Sequence, residues 1–287
     1  MEKGFLKESY DMFPGYRLRH TTGQAAGAST LDYLHSCDEY MLIYFLCGSG
    51  SIKVEGNHYP IHPGDLIIVS PTELFCCKVD DGTYHERIVI YFNEAALRCF
   101  PGDHSSVFRQ LLMRGGGIGN RICANSVLES SLAHHLVKLL QLARSNDPAR
   151  FLLSACELAQ ALVVLTRAVP EQNSLQPETQ TQNRLLRDVL QHLNTHYTEE
   201  ISLDTVADTF DVHRSYLSHL FKEQMGMSLW HYVILRRLQH CNALIRNRCT
   251  AEDACYRSGF QNYANFFRLY KKHMGITPTQ YKKQLGL

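Results

Sequence analysis

Two sets of residues in this chain are of types that do chemistry, and only one of them has the spacing for it. The first set is fifteen histidines and ten cysteines. Imidazoles and thiolates hold metals or act as nucleophiles when they are brought together. The cysteines, however, form no CxxC pair, and Cys76 and Cys77 are adjacent, which is poor geometry for a shared bridge. They read as reduced thiols behaving as small apolar residues. The second set is written twice. Leu220, Lys222, Met225, Gly226 and Tyr232 return as Leu269, Lys271, Met274, Gly275 and Tyr281, each 49 positions later, with Phe221 matched by Tyr270 and Ser228 by Thr277. Two copies of one unit indicate one physical task performed at two places.

Charge narrows the task. From Thr181 onward 14 Lys and Arg stand against 9 Asp and Glu, a net of +5, whereas the first 180 residues hold 15 against 19, a net of −4. The overall +1 therefore hides a division. A mildly basic C-terminal part suits contact with phosphates, and an acidic N-terminal part argues against that half binding nucleic acid.

The duplicated residues must be positioned by helices. Ser202 can cap a helix carrying Leu203, Val206, Ala207 and Phe210 on one side. Asp211 and Val212 turn the chain, and His213 to Met225 carries Leu217, Leu220 and Phe221 until Gly226 stops it. In the second copy Ala251 to Ser258 precedes the turn Gly259–Gln261, Asn262 caps Tyr263 to Met274, and Gly275 ends it. A small residue, Ala207 or Cys255, stands where each pair of helices must cross closely. Counted back from the shared lysine, the second turn is one residue longer. This is a helix-turn-helix pattern twice over. Between the copies, Leu229 to Arg246 places Trp230, Ile234, Leu238, Cys241 and Ile245 on one helical stripe. Such a helix spans about 27 Å at ~1.5 Å per residue, close to the ~34 Å between successive major-groove faces of B-DNA.

The pair of motifs, with Gly259-Phe260, Phe266-Phe267-Arg268, Lys271 to Gly275 and Thr277 to Tyr281, resembles the DNA-binding domain of AraC/XylS-type transcriptional regulators from roughly Asn183 to Leu285. His213 departs from the family's usual Ser cap, and Cys241 and Cys255 replace a customary Ala. The resemblance implies groove-facing positions at Arg214, Ser215, Ser218 and His219, with Lys222 beyond them, and at Ala264, Asn265, Phe267 and Arg268, with Lys271 beyond. Arg268 is the strongest reader, because a guanidinium can bond guanine bidentately, whereas His219 in the matching slot makes a single bond.

From Tyr16 to about Phe100 the chain reads as short strands with Gly-rich turns. Tyr40 to Cys47, Ile52 to Glu55, His58 to Ile61, Leu66 to Ser70 and Arg87 to Phe92 are the clearest, and Gly56-Asn57 suits a hairpin turn. Gly48, Gly50, Gly56 and the run Pro63 to Pro71 are similar to the cupin-like sensor domain that precedes many such DNA-binding domains. Metal-binding cupins carry a His-x-His pair, a nearby carboxylate and a further His after the Pro-Gly turn. Here Ser36, Cys37, Asp38 and Glu39 follow His35, and no His lies between Pro63 and Tyr84. A metal site would need His20, His35 and His85 to meet by folding. No catalytic residue, metal or cofactor is therefore assigned. A small-molecule pocket is the better expectation, since a barrel of this size can enclose one ligand. Its candidate contacts are Arg17, Arg19, Tyr44, His85 and Tyr91.

A helix is expected over His104 to Arg114, broken by Gly115–Gly117, followed by an antiparallel pair, Ser126 to Arg144 and Ala149 to Ala168. Its stripes, Leu132 to Leu140 and Leu152 to Leu165, could pack on the barrel or form the dimer surface that the family implies. Val169 to Gln182 has no period and reads as linker, and Arg184 to Tyr197 opens the DNA-binding domain. The expected architecture is α+β in two domains. Residues 1–168 form a cupin-like barrel or jelly roll with a helical pair, 169–182 are a linker, and 183–287 are all-α with two helix-turn-helix motifs on a joining helix. The expected partners are double-stranded DNA, a small-molecule effector, a second copy of the chain and RNA polymerase. No signal peptide is evident, and the longest apolar run, Met41 to Cys47, is too short for a bilayer, so the expected place is the cytoplasm. Two rival readings are a ligand-independent regulator whose barrel only dimerises or binds partners, and a cupin or alkyl-transfer enzyme fused to a DNA-binding domain.

Overall fold

The structure, a computed structural model, describes residues 5–24, 37, 39–71, 73–100, 102, 108, 117, 119–123, 127–174 and 184–284. They fall into two units, Met1–Gln180 and Thr181–Leu287. In the first, strands β1 (Phe5–Phe13), β2 (Tyr16–Gln24), β3 (Tyr40–Cys47), β6 (Leu66–Val69), β8 (Tyr84–Phe92) and β9 (Arg121–Ile122) form one antiparallel sheet in the order β1-β2-β8-β3-β6-β9. Strands β4 (Gly50–Val54), β5 (Asn57–Ile61) and β7 (Phe75–Val79) form a second, in the order β5-β4-β7. Met41 to Phe45 are buried without a break because the large sheet is covered on both faces. Met41, Ile43, Phe45, Ile67, Val69, Val89 and Tyr91 face the small sheet, making the barrel interior with Ile52, Val54, Ile61, Phe75, Cys77 and Val79. Leu18, Leu42, Tyr44, Leu66, Ile68, Ile88, Ile90 and Phe92 point the other way.

That outer face is covered by α2 (Val127–Arg144) and α3 (Arg150–Ser174), which follow a single turn, α1 (Glu94–Leu97). Leu132, Leu136, Leu139, Leu140, Leu158, Leu162 and Leu165 are all buried against the sheet. The leucine stripes are thus core, and only Leu152, 69% exposed, lies outside it with Phe151 and Leu153. Helix α3 also continues past Ala168 through Pro170 to Ser174, into the stretch expected to be linker; a proline lacks one backbone donor but need not end a helix held by its neighbours. The hairpin between β4 and β5 turns at Glu55 and Gly56, both at positive φ, with Asn57 already paired to Val54. It is one residue earlier than expected, and the buried Glu55 carboxylate accepts the Leu74 N–H at 2.7 Å. The expected helix over His104 to Arg114 lies outside the described residues apart from Phe108.

The second unit is helical among its described residues. It comprises α4 (Arg184–His196), α5 (Leu203–Thr209), α6 (Arg214–Met225), α7 (Leu229–Arg246), α8 (Ala251–Arg257), α9 (Tyr263–Met274) and α10 (Pro278–Gln284). The joining helix α7 buries more than the expected stripe. Leu229, Tyr232, Val233, Arg236 and Arg237 are buried, whereas Trp230 is half exposed. A helix packed between two bodies needs apolar surface on both sides, so a single stripe under-describes it. Tyr232 Oη donates to Asn194 Oδ1 of α4 and accepts from Arg236 Nε and Nη2. Tyr270 Oη of α9 donates to Asn242 Oδ1 of α7. Each end of α7 is thereby tied to a neighbouring helix by a satisfied buried hydroxyl.

Candidate functional site

Helices α6 and α9 are built alike. His213 caps α6 by accepting from Ser215 N, and Asn262 caps α9 by accepting from Asn265 N at 2.8 Å. Gly226 and Gly275 end them in the left-handed region, each N–H returning to the carbonyl of the shared lysine, Lys222 or Lys271. Leu217 and Phe221 are buried beneath α6, Phe266 and Tyr270 beneath α9. The turns before them also correspond. Val212 N donates to Ala207 O and Phe260 N to Cys255 O, with Asp211 and Gly259 at positive φ, so Gln261 is the additional residue. Both small residues are buried, and the Cys241 and Cys255 thiols are pushed up to about 12 and about 11, chiefly by burial. They serve packing.

On α6 the structure leaves Arg214, Ser215, Ser218, His219 and Lys222 exposed on one face; on α9 it does the same for Ala264, Asn265, Arg268 and Lys271, with Phe267 half-buried beside them. Arg268 Nη2 donates to Asn265 Oδ1 at 3.0 Å, one turn back along the same face. Arg214 Nη1 lies 3.1 and 3.2 Å from the two Asp204 oxygens of α5. That pair is exposed, so water competes for both partners and the guanidinium can be drawn away at little cost.

In the first unit the strand register sorts the candidate effector contacts. Arg17 and Arg19 alternate with the outward Tyr16, Leu18 and His20, and so lie on the barrel side of β2. Tyr91 faces the same way, pairs with Arg17, and has the Arg17 guanidinium 3.9 Å and the Arg19 guanidinium 5.3 Å from its ring centre. Burial raises the Tyr91 hydroxyl pKa, which keeps it a neutral donor. Arg17 is also held by Glu39 at 2.7 and 3.0 Å. His85 is fully buried on the barrel side with its ring against Phe45. Tyr44 is on the opposite face, under the helices, and is not part of this group; its strand is apolar on both sides, so alternation could not orient it. Two further residues join the group, Thr21 and Arg87, paired directly across β2 and β8. Only this pairing, between residues far apart in sequence, could have found them.

His20 sits on the helix side, between Glu86 at 2.7 Å and Arg144 at 2.8 Å, so it and His85 are separated by the sheet. His35 lies outside the described residues. Among the described residues there is no group of three His, Cys, Asp or Glu able to hold a metal ion, and no helix long and apolar enough to cross a membrane.

The family described as an AraC-like ligand binding domain matches residues 20–162, and that described as a helix-turn-helix domain matches residues 206–284. The chain is similar to the uncharacterized HTH-type transcriptional regulator YdiP of Escherichia coli, 31% identical over 101 residues, which are 35% of this chain and 33% of that protein. The chain therefore spans about a third of the length of that relative. It is similar to PqrA of Proteus vulgaris, named as a probable transcription factor, 30% identical over 102 residues, or 34% of this chain and 84% of that one. Similarity to the Msm operon regulatory protein of Streptococcus mutans runs through both units, at 19% identity over 252 residues, 86% of this chain and 85% of that one.

Proposed function

The chain belongs to the AraC family of DNA-binding transcriptional regulators, and on that premise we propose how it reads DNA and what instructs it. Helices α6 and α9 enter successive major grooves on one side of a duplex. Arg214, Ser215, Ser218 and His219 meet one half-site, and Ala264, Asn265, Phe267 and Arg268 meet the other. Lys222 and Lys271 bind phosphates, which position the protein without reading sequence. The observation that carries this reading is the duplication itself: two exposed faces at equal spacing, capped and stopped alike, on either side of one buried helix. Residues 183–287 act as the DNA-binding domain, 169–182 as the link, and 1–168 as the part that receives a small effector at the Arg17, Arg19, His85 and Tyr91 face. The same part meets a second copy through the exposed Phe151, Leu152 and Leu153 of α3. DNA occupancy acts on transcription through RNA polymerase in the cytoplasm. The relatives are transcriptional regulators, and no catalytic step is proposed.

The test is selection of duplexes from a random library by the full chain, followed by affinity measurements over a salt series. A two-part motif with centres about one helical turn apart is expected. So is a log–log salt slope of roughly −0.9 per phosphate contacted. A single half-site, or affinity indifferent to salt, would overturn the reading.

A further inference from the structure

We propose that the effector is a small organic anion whose carboxylate or phosphate is held by Arg19 and Arg87 with the Thr21 hydroxyl. This deepens the reading of the barrel as an effector site and rests on it. Three observations carry it. The antiparallel register puts Thr21 directly opposite Arg87 and Arg19 opposite Val89, all on the barrel side of the sheet. Directly opposed residues lie about 5 Å apart at Cβ and diagonal ones about 7–8 Å, so the three side chains start close enough together for one small oxyanion to reach all of them. Second, the positive charge there is uncompensated. Arg17 has Glu39, but among the described residues neither Arg19 nor Arg87 has a carboxylate: Arg19 lies over the Tyr91 ring, and Arg87 has the Cys77 sulfur at 3.4 Å, a weak acceptor, with the neutral Tyr91 near it. Third, Thr21 is 1% exposed, and among the described residues its Oγ1 is without a hydrogen-bond partner. Buried hydroxyls are nearly always bonded.

What is missing from this corner is therefore an acceptor with negative charge. Guanidinium groups carry donors and no acceptors, and their fork matches the paired oxygens of carboxylates and phosphates. Tyr91, already stacked with Arg17, gives a flat wall for the ligand's body, and the apolar Met41 and Ile43 lie on the same side of the sheet beyond it. A neutral sugar or amine would leave both guanidiniums without an anionic partner.

The experiment measures thermal shifts and titrations of the full chain with a panel of small carboxylates (butyrate, succinate, benzoate), with phenyl phosphate, and with the neutral butyramide and benzamide. At least one anion should raise the melting temperature in a saturable way while its amide does not. Whether carboxylates or phenyl phosphate bind separates the two head groups. Arg19→Gln and Arg87→Gln should each weaken that anion roughly ten- to a hundred-fold, the loss of a charge-assisted bond. Without ligand their melting temperatures should stay close to wild type, because among the described residues neither guanidinium is paired with a carboxylate. Arg19→Lys, which keeps the charge but not the fork, should fall between, and guards against a misfolded Gln variant. The proposal fails if no anion stabilises the chain, if amides do so equally, or if the Gln variants bind anions unchanged. Stabilisation by neutral compounds alone would leave the effector reading standing and remove the anion from it. Duplex binding by the same variants reports separately on the DNA-binding unit.

Discussion

A β-carbon added to Gly259 would lie 2.5 Å from the carbonyl oxygen of Thr198. The turn of the second motif is thus pressed onto the loop between α4 and α5, at a φ of 87° that glycine adopts freely and other residues resist. Arg237 of α7 donates to the carbonyls on either side, Tyr197 O and Glu199 O, both at 2.7 Å. One short loop receives the second turn and the joining helix together, so it fixes how the two motifs sit relative to each other.

Gly259→Ala should therefore cost more than an ordinary glycine replacement. It adds backbone strain of about 1 kcal/mol or more to a clash with backbone that cannot swing aside. A total of about 2–4 kcal/mol is expected. Gly226 has a similar φ of 73° but open space around an added β-carbon, so Gly226→Ala should cost only the strain. Urea unfolding of both variants checks this; equal losses would mean that the Thr198 contact contributes nothing.

The two leucine positions of the helical pair separate packing from assembly. Leu139 is fully buried and Leu152 is 69% exposed. Leu139→Asp places a carboxylate in the core and should unfold the first unit, at a cost of about 4 kcal/mol or more. Leu152→Asp should leave the melting temperature within a degree or two, yet reduce self-association and weaken binding to a two-half-site duplex, since linked sites gain ~10²–10⁴ in avidity. Sedimentation and a duplex titration decide it. A fully associated Leu152→Asp variant would move the dimer surface elsewhere.

The sequence carried the second unit well because its signals are local. Capping residues, stop glycines and the 49-residue repeat each act within a turn or two of where they stand. The barrel was less legible for the opposite reason. Strand β1 mixes Lys7, Glu8 and Asp11 with its apolar residues, as edge strands do, and β7 is too short to show a period. Whether Tyr44 faces the pocket or the helices depends on which side of a doubly covered strand it occupies. That Thr21 meets Arg87 depends on a pairing 66 residues apart, which no local pattern encodes.

Acid should loosen the second unit. Burial is the main cause holding His231, His273, His240 and His192 below the ordinary 6.5, with neighbouring Lys272, Arg257 and His196 adding to it. The unfolded chain therefore takes up these protons first. Stability from the four is full above about pH 6.5 and is lost as pH falls through the lower folded-state values. The urea midpoint of the chain should fall on going from about pH 7.5 to 5. His273→Gln, whose ring partner is His231 at 5.0 Å, should flatten part of that fall. A midpoint that rises with acid would contradict the sign.

The final prediction separates reading from holding on α9. Arg268 is exposed and steadied by Asn265 one turn back, so its fork is presented toward whatever lies over that face. A bidentate bond to guanine discriminates by about 1–3 kcal/mol, whereas a lysine on phosphate attracts every sequence alike. Arg268→Ala should thus relax preference at one base pair of the second half-site and leave the first half-site's motif unchanged. Lys271→Ala, three residues further along and exposed, should weaken binding to all duplexes uniformly and reduce the salt slope by about 0.9. The alanines remove exposed side chains and leave the buried Phe266 and Tyr270 in place, so both variants should melt with the parent. Library selection and salt titration of the two variants side by side give the answer. Were Arg268→Ala to return the wild-type motif, base reading would belong to another position on this face, and Asn265 would be the next to replace.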